Sequence, residues 1–302
     1  MIPEKKIEPK VIAIVGPTAS GKTSIAVEIA RLIGGEVISA DSRQVYAGLD
    51  IGTGKVTKRE MRGVPHHLLD VANPKRAMSV VQYERLATRA IHDILKRGEV
   101  PIICGGTGQY IDAILTTASF PEVPPNAKLR KELEKLSAEK LFKKLLKLDP
   151  ERAKTIDANN PRRLIRAIEI ATALGSVPVR TAPQERYDTL YIGLTLEKEK
   201  LAERIHTRLI TRMKHGMTAE ARRLHDEGLS WKRMDSLGLE YRFLAQFLQN
   251  KISKDQMLEL LEIAIRQYSK RQMVWFKRNE KIRWFEPTET KKVLATVKKF
   301  LK

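Results

Sequence analysis

The chain has 302 residues, with 56 Lys+Arg against 36 Asp+Glu, a formal net charge of +20 and a pI of about 10.0; 42% hydrophobic and 30% charged residues are globular proportions, enough for one large domain or two ordinary ones. Its single cysteine, Cys104, excludes an intrachain disulfide framework and a cysteine zinc cage. No run approaches the ~20 apolar residues of a membrane span, and Val11 to Val15 is too short for a signal sequence and ends in Gly-Pro, so a soluble, cytoplasmic protein is expected.

The first ten residues are charged and proline-containing, a frayed lead-in. Val11-Ile12-Ala13-Ile14-Val15 is continuous, apolar and β-branched, the pattern of a strand buried on both faces. A glycine-bearing loop follows, then Thr23 to Ile33 as a helix stopped by Gly34-Gly35. Glu36 to Ala40 reads as a second strand stopping at Asp41, and His67 to Val71 as a weaker third. Val80 to Arg97 is a helix ended by Gly98, leading into a strand at Val100 to Cys104 and then Gly105-Gly106. Strands alternating with helices predict an α/β fold of the P-loop type, a parallel sheet with helices on both faces.

The alternation stops at the proline-rich stretch Phe120 to Pro125. Residues 126–175 read as helix without strand signals, Thr189 to Leu196 returns to strand, and the rest is helical: Leu201 to His215, Thr218 to Glu227, Tyr241 to Gln249 and Lys254 to Phe276. The expected organisation is a catalytic core at 1–119 and 188–302, with a helical C-terminal part, interrupted by an all-helical insertion at 120–187. Charge follows this division. Residues 1–110 carry 16 basic and 11 acidic side chains, net +5; residues 111–302 carry 40 and 25, net +15. An acidic partner (nucleic acid, anionic membrane or polyphosphate) belongs to the back of the chain.

Gly16-Pro17-Thr18-Ala19-Ser20-Gly21-Lys22-Thr23 fits G-x-x-x-x-G-K-[ST] in full, after a buried strand and opening a helix. Glycines let backbone N–H groups turn inward around an oxyanion, and the helix N-terminus adds partial positive charge. Lys22 supplies a point charge between phosphates, and the Thr23 hydroxyl suits a Mg²⁺ ligand. The motif binds a di- or triphosphate without saying which. No Asn-Lys-x-Asp guanine reader is present, and Leu68-Leu69-Asp70 is a poor metal-and-water strand end for a motor or GTPase. Asp41 ends the second strand, beside the phosphate loop if that strand neighbours the first. There it serves either as a general base or as a loop-capping residue.

A set of blocks in this sequence resembles those of tRNA dimethylallyltransferases. They are residues 16–23, Ser39-Ala40-Asp41-Ser42-Arg43-Gln44-Val45-Tyr46, Asp50-Ile51-Gly52-Thr53, Val64-Pro65-His66-His67-Leu68-Leu69-Asp70, Gly105-Gly106-Thr107 with Tyr110, Asn160-Pro161-Arg162-Arg163 with Arg166-Ala167, and Arg271-Gln272 with Trp275-Phe276. The blocks run from about residue 11 to 280 in the family's order. The resemblance implies transfer of a dimethylallyl group from its diphosphate to N6 of adenine 37, beside the anticodon, in tRNAs that read codons beginning with U. On this reading the phosphate loop holds a diphosphate rather than ATP, with Mg²⁺ as cofactor. Backbone N–H groups, Lys22 and Mg²⁺ on Thr23 stabilise the charge that builds on the leaving group. Asp41 accepts the amine proton and fixes the adenine. Thr107 is similar to the family residue that contacts the target nucleotide or the reacting phosphate; its alternative is to cap the next helix. Arg208, with Met213 and Gly216, is similar to a segment whose arginine assists the diphosphate.

For the RNA, the resemblance implies contacts from Asp41, Ser42, Arg43, Gln44 and Thr107, with the target base extruded from the loop. It also implies contacts from Arg130 and from Arg162, Arg163, Leu164, Ile165 and Arg166 to the anticodon stem-loop. Residues 126–175 carry 13 basic and 7 acidic side chains, net +6. Asn160 is placed as N-cap and Pro161 at the first helical position, with Leu164, Ile165, Ile168 and Ala171 suited to burial. Seven basic residues between Arg266 and Arg283 interleave with Tyr268, Trp275 and Phe276, whose helical spacing reads as core with the cations facing RNA. A monomer suffices for one tRNA. The chain departs from the family at Gly238-Leu239-Glu240-Tyr241, where relatives read Gly-Tyr-Lys-Glu, and at Gln109, which replaces Leu. Cys104 and the His66-His67 pair read as structural. The rival readings are a small-molecule kinase using ATP, an RNA-binding NTPase, and a prenyltransferase acting on free adenine nucleotide; the first two leave the basic insertion or Asp41 without a role, and the third leaves out the RNA-facing arginines.

Overall fold

β-branched apolar runs become the centre of one parallel sheet in this computed structural model, which describes residues 8–117, 121–178 and 184–302. Most of the lead-in and Phe120 of the proline-rich junction lie outside the described residues. In chain order the first elements are β1 (Lys10–Val15), α1 (Lys22–Ile33), β2 (Gly35–Ser39), α2 (Lys58–Met61), β3 (His66–His67), α3 (Val80–Lys96), β4 (Val100–Gly105) and α4 (Gly108–Leu115). Four helices follow: α5 (Ala127–Leu133), α6 (Ala138–Leu148), α7 (Pro150–Thr155) and α8 (Pro161–Leu174). The chain then runs through β5 (Asp188–Leu194), α9 (Lys198–Lys214), α10 (Met217–Asp226), α11 (Trp231–Leu237), α12 (Leu239–Leu248), α13 (Lys254–Phe276), β6 (Arg283–Phe285) and α14 (Thr290–Leu301). It divides into two compact units, Met1–Thr117 with Glu185–Lys302, and Ala118–Gln184.

In the larger unit six strands lie in the order β3-β2-β4-β1-β5-β6, every neighbouring pair parallel. Alternate residues of β1 serve opposite cores. Val11, Ala13 and Val15 pack with Tyr83, Ile91 and Ile114 of α3 and α4; Ile12 and Ile14 pack with Ile25 and Ile29 of α1 and Val293 of α14. Both faces are therefore covered, which explains the unbroken apolar run. Helices α9, α10, α12 and α13 form a further core around Leu209, Met217, Leu244 and Leu261.

The structure corrects the sequence pattern at three places. The third strand is only His66–His67, paired with Val37 and Ile38; Leu68 and Asp70, at φ 63° and 57°, turn the chain out of the sheet. The second strand does not neighbour the first. β4 lies between them, because a parallel pair needs a long crossover and the chain makes its return through α3. The tail also carries β6 and α14 with α11 before them; a three-residue strand is too short for alternation to reveal.

The smaller unit has its own core of Leu133, Leu141, Leu145, Leu164 and Ile168. Asn160 caps α8, its side chain accepting from Arg163 N at 3.2 Å, with Pro161 in the first turn. Glu169, 2% exposed, accepts from Asn126 N at 2.9 Å and from Arg130 Nε and Nη2 at 2.7 and 2.8 Å, and Arg166 Nη1 lies 3.5 Å away. Burial pushes this carboxyl up, but the hydrogen bonds from Arg130 and Asn126 outweigh it and hold it below its ordinary value of 4.5. A depressed carboxyl contributes stability that is complete above 4.5 and lost as pH falls through the native value. Native-state hydrogen exchange of α8 amides should show that loss in acid, and Glu169→Gln should lower local stability by about 1–3 kcal/mol at neutral pH and remove the acid limb.

Candidate active site

The loop after β1 is built from conformations that few side chains tolerate. Gly16 and Gly21 have φ of 142° and 91°, and Ala19 lies at φ 63°. A Cβ on Gly16 would come 2.4 Å from Leu194 O. The turn delivers the chain into α1 with its first amides free of helical partners. Thr18, Ala19, Gly21, Lys22 and Thr23 line a cleft of about 350 Å³. Pro17 contributes its carbonyl, which accepts from Lys22 Nζ at 2.5 Å, while the buried Ser20 hydroxyl has no hydrogen-bond partner among the described residues. Thr18 N donates to Gln272 Oε1 at 2.8 Å, and Gln272 Nε2 donates to Gly106 O at 2.9 Å. One buried amide side chain from α13 thus clamps the phosphate loop to the turn after β4.

That same turn fixes Asp41. Ala40 N donates to Cys104 O at 2.8 Å, Thr107 N donates to Ala40 O at 3.1 Å, and the Thr107 hydroxyl accepts from Ser42 N at 3.0 Å. Thr107 begins α4 without a side-chain cap, so its hydroxyl holds the Asp41 turn instead. Asp41 Oδ1 accepts from Arg43 N at 2.8 Å and Gln44 N at 3.3 Å; Oδ2 makes no hydrogen bond among the described residues and the residue lines the cleft. Gln44 Nε2 donates to Gly54 O at 3.3 Å. Asp70, by contrast, is paired with Lys55 at the outer loop and takes no place in the cleft.

The other walls come from α9 and α13. Arg208 Nη2 donates to Gly54 O at 2.9 Å, and no carboxylate pairs with it among the described residues. Burial, the larger effect, and the nearby Arg212 lower its pKa, against the opposing pull of Glu240, Asp41 and Glu60. Arg204 also lines the cleft. Helical spacing puts Arg204 and Arg208 on one face but gives Arg204 no role. The same spacing assigns Tyr268 to the core; in the structure it faces the cleft beside Thr107, its phenol pushed up to about 12 by burial. Gln272 stands in one of the family-like blocks without a function there, and no periodicity signals an amide that bridges two loops. Cys104 lies at the cleft floor with its thiol pushed up to about 11 by burial, and so stays protonated.

The residues expected at RNA divide into two groups. Arg162 and Arg163 are exposed on α8, whereas Leu164 and Ile165 are buried in the core of their own unit. Arg130 and Arg166 are engaged with Glu169, and Arg166 Nη2 also donates to Pro121 O at 3.3 Å. On α13 and just beyond it, Lys270, Arg271, Lys277 and Arg278 are exposed and Phe276 is buried. Trp275 is half-buried, donating from its indole to Asp112 at 3.1 Å, with the Arg278 guanidinium 4.2 Å from its ring centre.

A family model described as IPP transferase matches residues 44–279. A tRNA dimethylallyltransferase of Exiguobacterium sp. is 44% identical over 272 residues, 88% of this chain and 87% of its own. One from Geobacillus thermodenitrificans is 40% identical over 302 residues, covering 97% and 95%. Among solved structures, the full-length tRNA isopentenylpyrophosphate transferase of Bacillus halodurans superposes with a TM-score of 0.74 at 36% identity, over 97% of both chains. A eukaryotic dimethylallyltransferase acting on tRNA superposes with a TM-score of 0.73 at 26% identity, over 88% of this chain and 69% of its own.

Burial pushes the Lys22 ammonium down to about 8; Arg208 adds to this, and Cys104 and Asp41 oppose it. The charge that meets an anion is therefore present below this value and lost above it. Calorimetric titration with inorganic diphosphate should show affinity falling by about tenfold per pH unit above pH 8. Lys22→Arg, which keeps its charge, should show a flatter profile; identical profiles for the two proteins would remove Lys22 from the anion site.

Proposed function

The chain belongs to the IPP transferase family, and from that premise we propose that it transfers a dimethylallyl group from dimethylallyl diphosphate to N6 of adenine 37 in tRNAs reading codons beginning with U. The observation that carries this reading is the pairing, in one cleft, of a phosphate loop with a carboxylate that has a free oxygen. Asp41 stands where a base could meet the end of a bound diphosphate ester. Among the described residues no group of three or more His, Cys, Asp or Glu could hold a metal.

The reaction breaks the allylic C1–O bond and forms a C1–N6 bond, and the amine proton leaves. Negative charge grows on the departing diphosphate, where the phosphate-loop amides, Lys22 and Arg208 converge. Arg208 and Lys22 are already desolvated, so their attraction to that charge is stronger than it would be in water. The adenine amine is a poor nucleophile until it sheds its proton, and Asp41 Oδ2 takes it. Oδ1, held by Arg43 N and Gln44 N, keeps the carboxylate oriented. The Thr107 hydroxyl secures the Asp41 turn through Ser42 N, and Gln44 retains an amide oxygen for a base edge. The Thr23 hydroxyl lines the cleft and makes no hydrogen bond among the described residues, so it would suit a magnesium ion, which would supply neutralisation of leaving-group charge.

The target base reaches this cleft only when extruded, which single-stranded anticodon loops permit. Arg162 and Arg163, exposed at the start of α8, meet phosphates of the stem-loop. Arg166 and Arg130, oriented by Glu169, present their remaining N–H groups to the same backbone. Leu164 and Ile165 contribute by fixing the helix and not by side-chain contact.

Dimethylallyl diphosphate, radiolabelled and incubated with unmodified tRNA, should label adenine 37; turnover of ATP without such labelling would favour a kinase. Asp41→Asn should lower transfer by about 10²–10⁴-fold while stem-loop affinity stays within about twofold, a split that separates chemistry from binding. Arg162→Ala with Arg163→Ala should weaken stem-loop binding and reduce the slope of log affinity against log salt by about 1–2, with dimethylallyl diphosphate binding unchanged. An unaltered slope would remove α8 from the RNA surface.

A further inference from the structure

Thr53 and Gly54, at the end of the segment Asp50-Ile51-Gly52-Thr53-Gly54, line the cleft, and the backbone of that segment is held from behind. Three consecutive amides, Asp50 N, Ile51 N and Gly52 N, donate to the Glu220 carboxylate of α10 at 3.0, 2.8 and 2.9 Å. Glu220 is buried and accepts a fourth bond, from Tyr241 Oη at 2.7 Å. The Tyr241 ring lies so close that a Cβ on Gly52 would fall 2.7 Å from it. On the other side of Gly52, its carbonyl accepts from Arg212 Nη1 at 2.8 Å, and Arg212 is paired with Glu240 at 2.9 Å.

Two of these anchors come from the tetrad Gly238-Leu239-Glu240-Tyr241. Gly238, at φ 74°, and Leu239, at φ 38°, start α12, so that Glu240 reaches Arg212 and Tyr241 reaches Glu220. The loop's front end is Gly54. Its carbonyl accepts from Arg208 and Gln44, and a Cβ there would lie 2.1 Å from Arg208 Nη2. The Gly54 carbonyl is the protein group that aims Arg208, and Glu220 and Tyr241 hold the segment that presents it.

We infer that Glu220 and Tyr241 are positioning residues for the diphosphate, acting through the 50–54 loop to place Arg208. A loop left free would carry three amides without acceptors, the one at Gly52 buried, and Arg208 would lose its fixed partner. The assignment rests on Arg208 meeting the diphosphate, as in the function proposed above. The 238–241 tetrad then supplies the hydroxyl and the carboxylate that lock this segment.

Calorimetry with inorganic diphosphate in magnesium buffer tests it on the full chain. Glu220→Gln should weaken diphosphate binding by about tenfold in the natural chain and by less than twofold in an Arg208→Ala background, since a residue acting through Arg208 has nothing left to act on. Tyr241→Phe, which keeps the ring against Gly52 and the three amide bonds, should cost about threefold with the same dependence on Arg208. In transfer assays the KM for dimethylallyl diphosphate should rise by matching factors while the KM for tRNA stays within twofold. Equal losses in both backgrounds, or losses that follow the fall in Tm across the two variants, would overturn the inference; if Glu220→Gln does not fold, the Tyr241→Phe cycle decides alone. Diphosphate binding is read without prenyl transfer, so an intact cycle in a chain that transfers nothing would overturn the reaction and leave the positioning role standing.

Discussion

The cleft depends on β4 lying between β1 and β2. Parallel strands place their carboxyl ends at one edge, and ligands of open α/β sheets bind there. With β4 in the middle, the phosphate loop after β1 and the carboxylate after β2 face each other across Gly105-Gly106-Thr107. The spacing leaves no slack. A Cβ on Gly105 would come 2.2 Å from Ala40 O, and one on Gly106 would come 2.1 Å from Gln272 Nε2. Two residues without side chains let the backbone of β2 and the amide of α13 close onto one turn. Thr107 then reaches Ser42 with its hydroxyl. The Asp41 turn and the phosphate loop are consequently parts of one hydrogen-bonded assembly.

Charge in this protein works in two ways. Inside the cleft it is sparse and poorly compensated: Lys22 and Arg208 are desolvated, and their partners are carbonyl oxygens of Pro17 and Gly54. Neither carbonyl offsets a full positive charge, so both cations are left with charge that an anion could meet. Outside, charge is abundant and solvated. Lys140, Lys143, Lys144 and Lys147 on α6 are exposed, where single charges add little to stability and much to attraction of a polyanion. The net excess of +15 in residues 111–302 belongs mainly to this second kind.

Buried carboxylates do the opposite work of fixing backbone. Glu169 gathers Asn126 N, Arg130 and Arg166 in the smaller unit, and Glu220 gathers three successive amides and a phenol in the larger one. Each fixes a loop at the start of a functional surface. A buried carboxylate with this many donors is oriented tightly, because losing any one donor leaves an unsatisfied group in a low-dielectric interior. Burial pushes the Tyr241 phenol well above its ordinary value, with the Glu220 carboxylate adding to it, so it remains a donor.

Local patterns are enough to read β1, the phosphate loop, the α1 boundary, the cap at Asn160 and the long helices from α3 to α13. These depend on contacts a few residues apart: backbone turns, caps and the apolar stripe. The same holds for the placing of Lys22 and Thr23 in the phosphate-loop motif, whereas the strand end at Asp41 suits a base and a loop cap equally. Sheet order, however, is a choice among strands far apart in sequence, and nothing local in Glu36 to Ala40 says that β4 and not β1 is its neighbour. Residues that act across such distances are therefore misplaced or passed over by local pattern: Tyr268 facing the cleft instead of the core, Gln272 joining two loops, Glu220 and Tyr241 behind a third. Amphipathic spacing says which face of a helix is buried but not what it is buried against. Only tertiary packing decides whether a buried polar atom meets a neighbour's backbone, a ligand or nothing, because the atoms that meet it come from elements far apart in the chain.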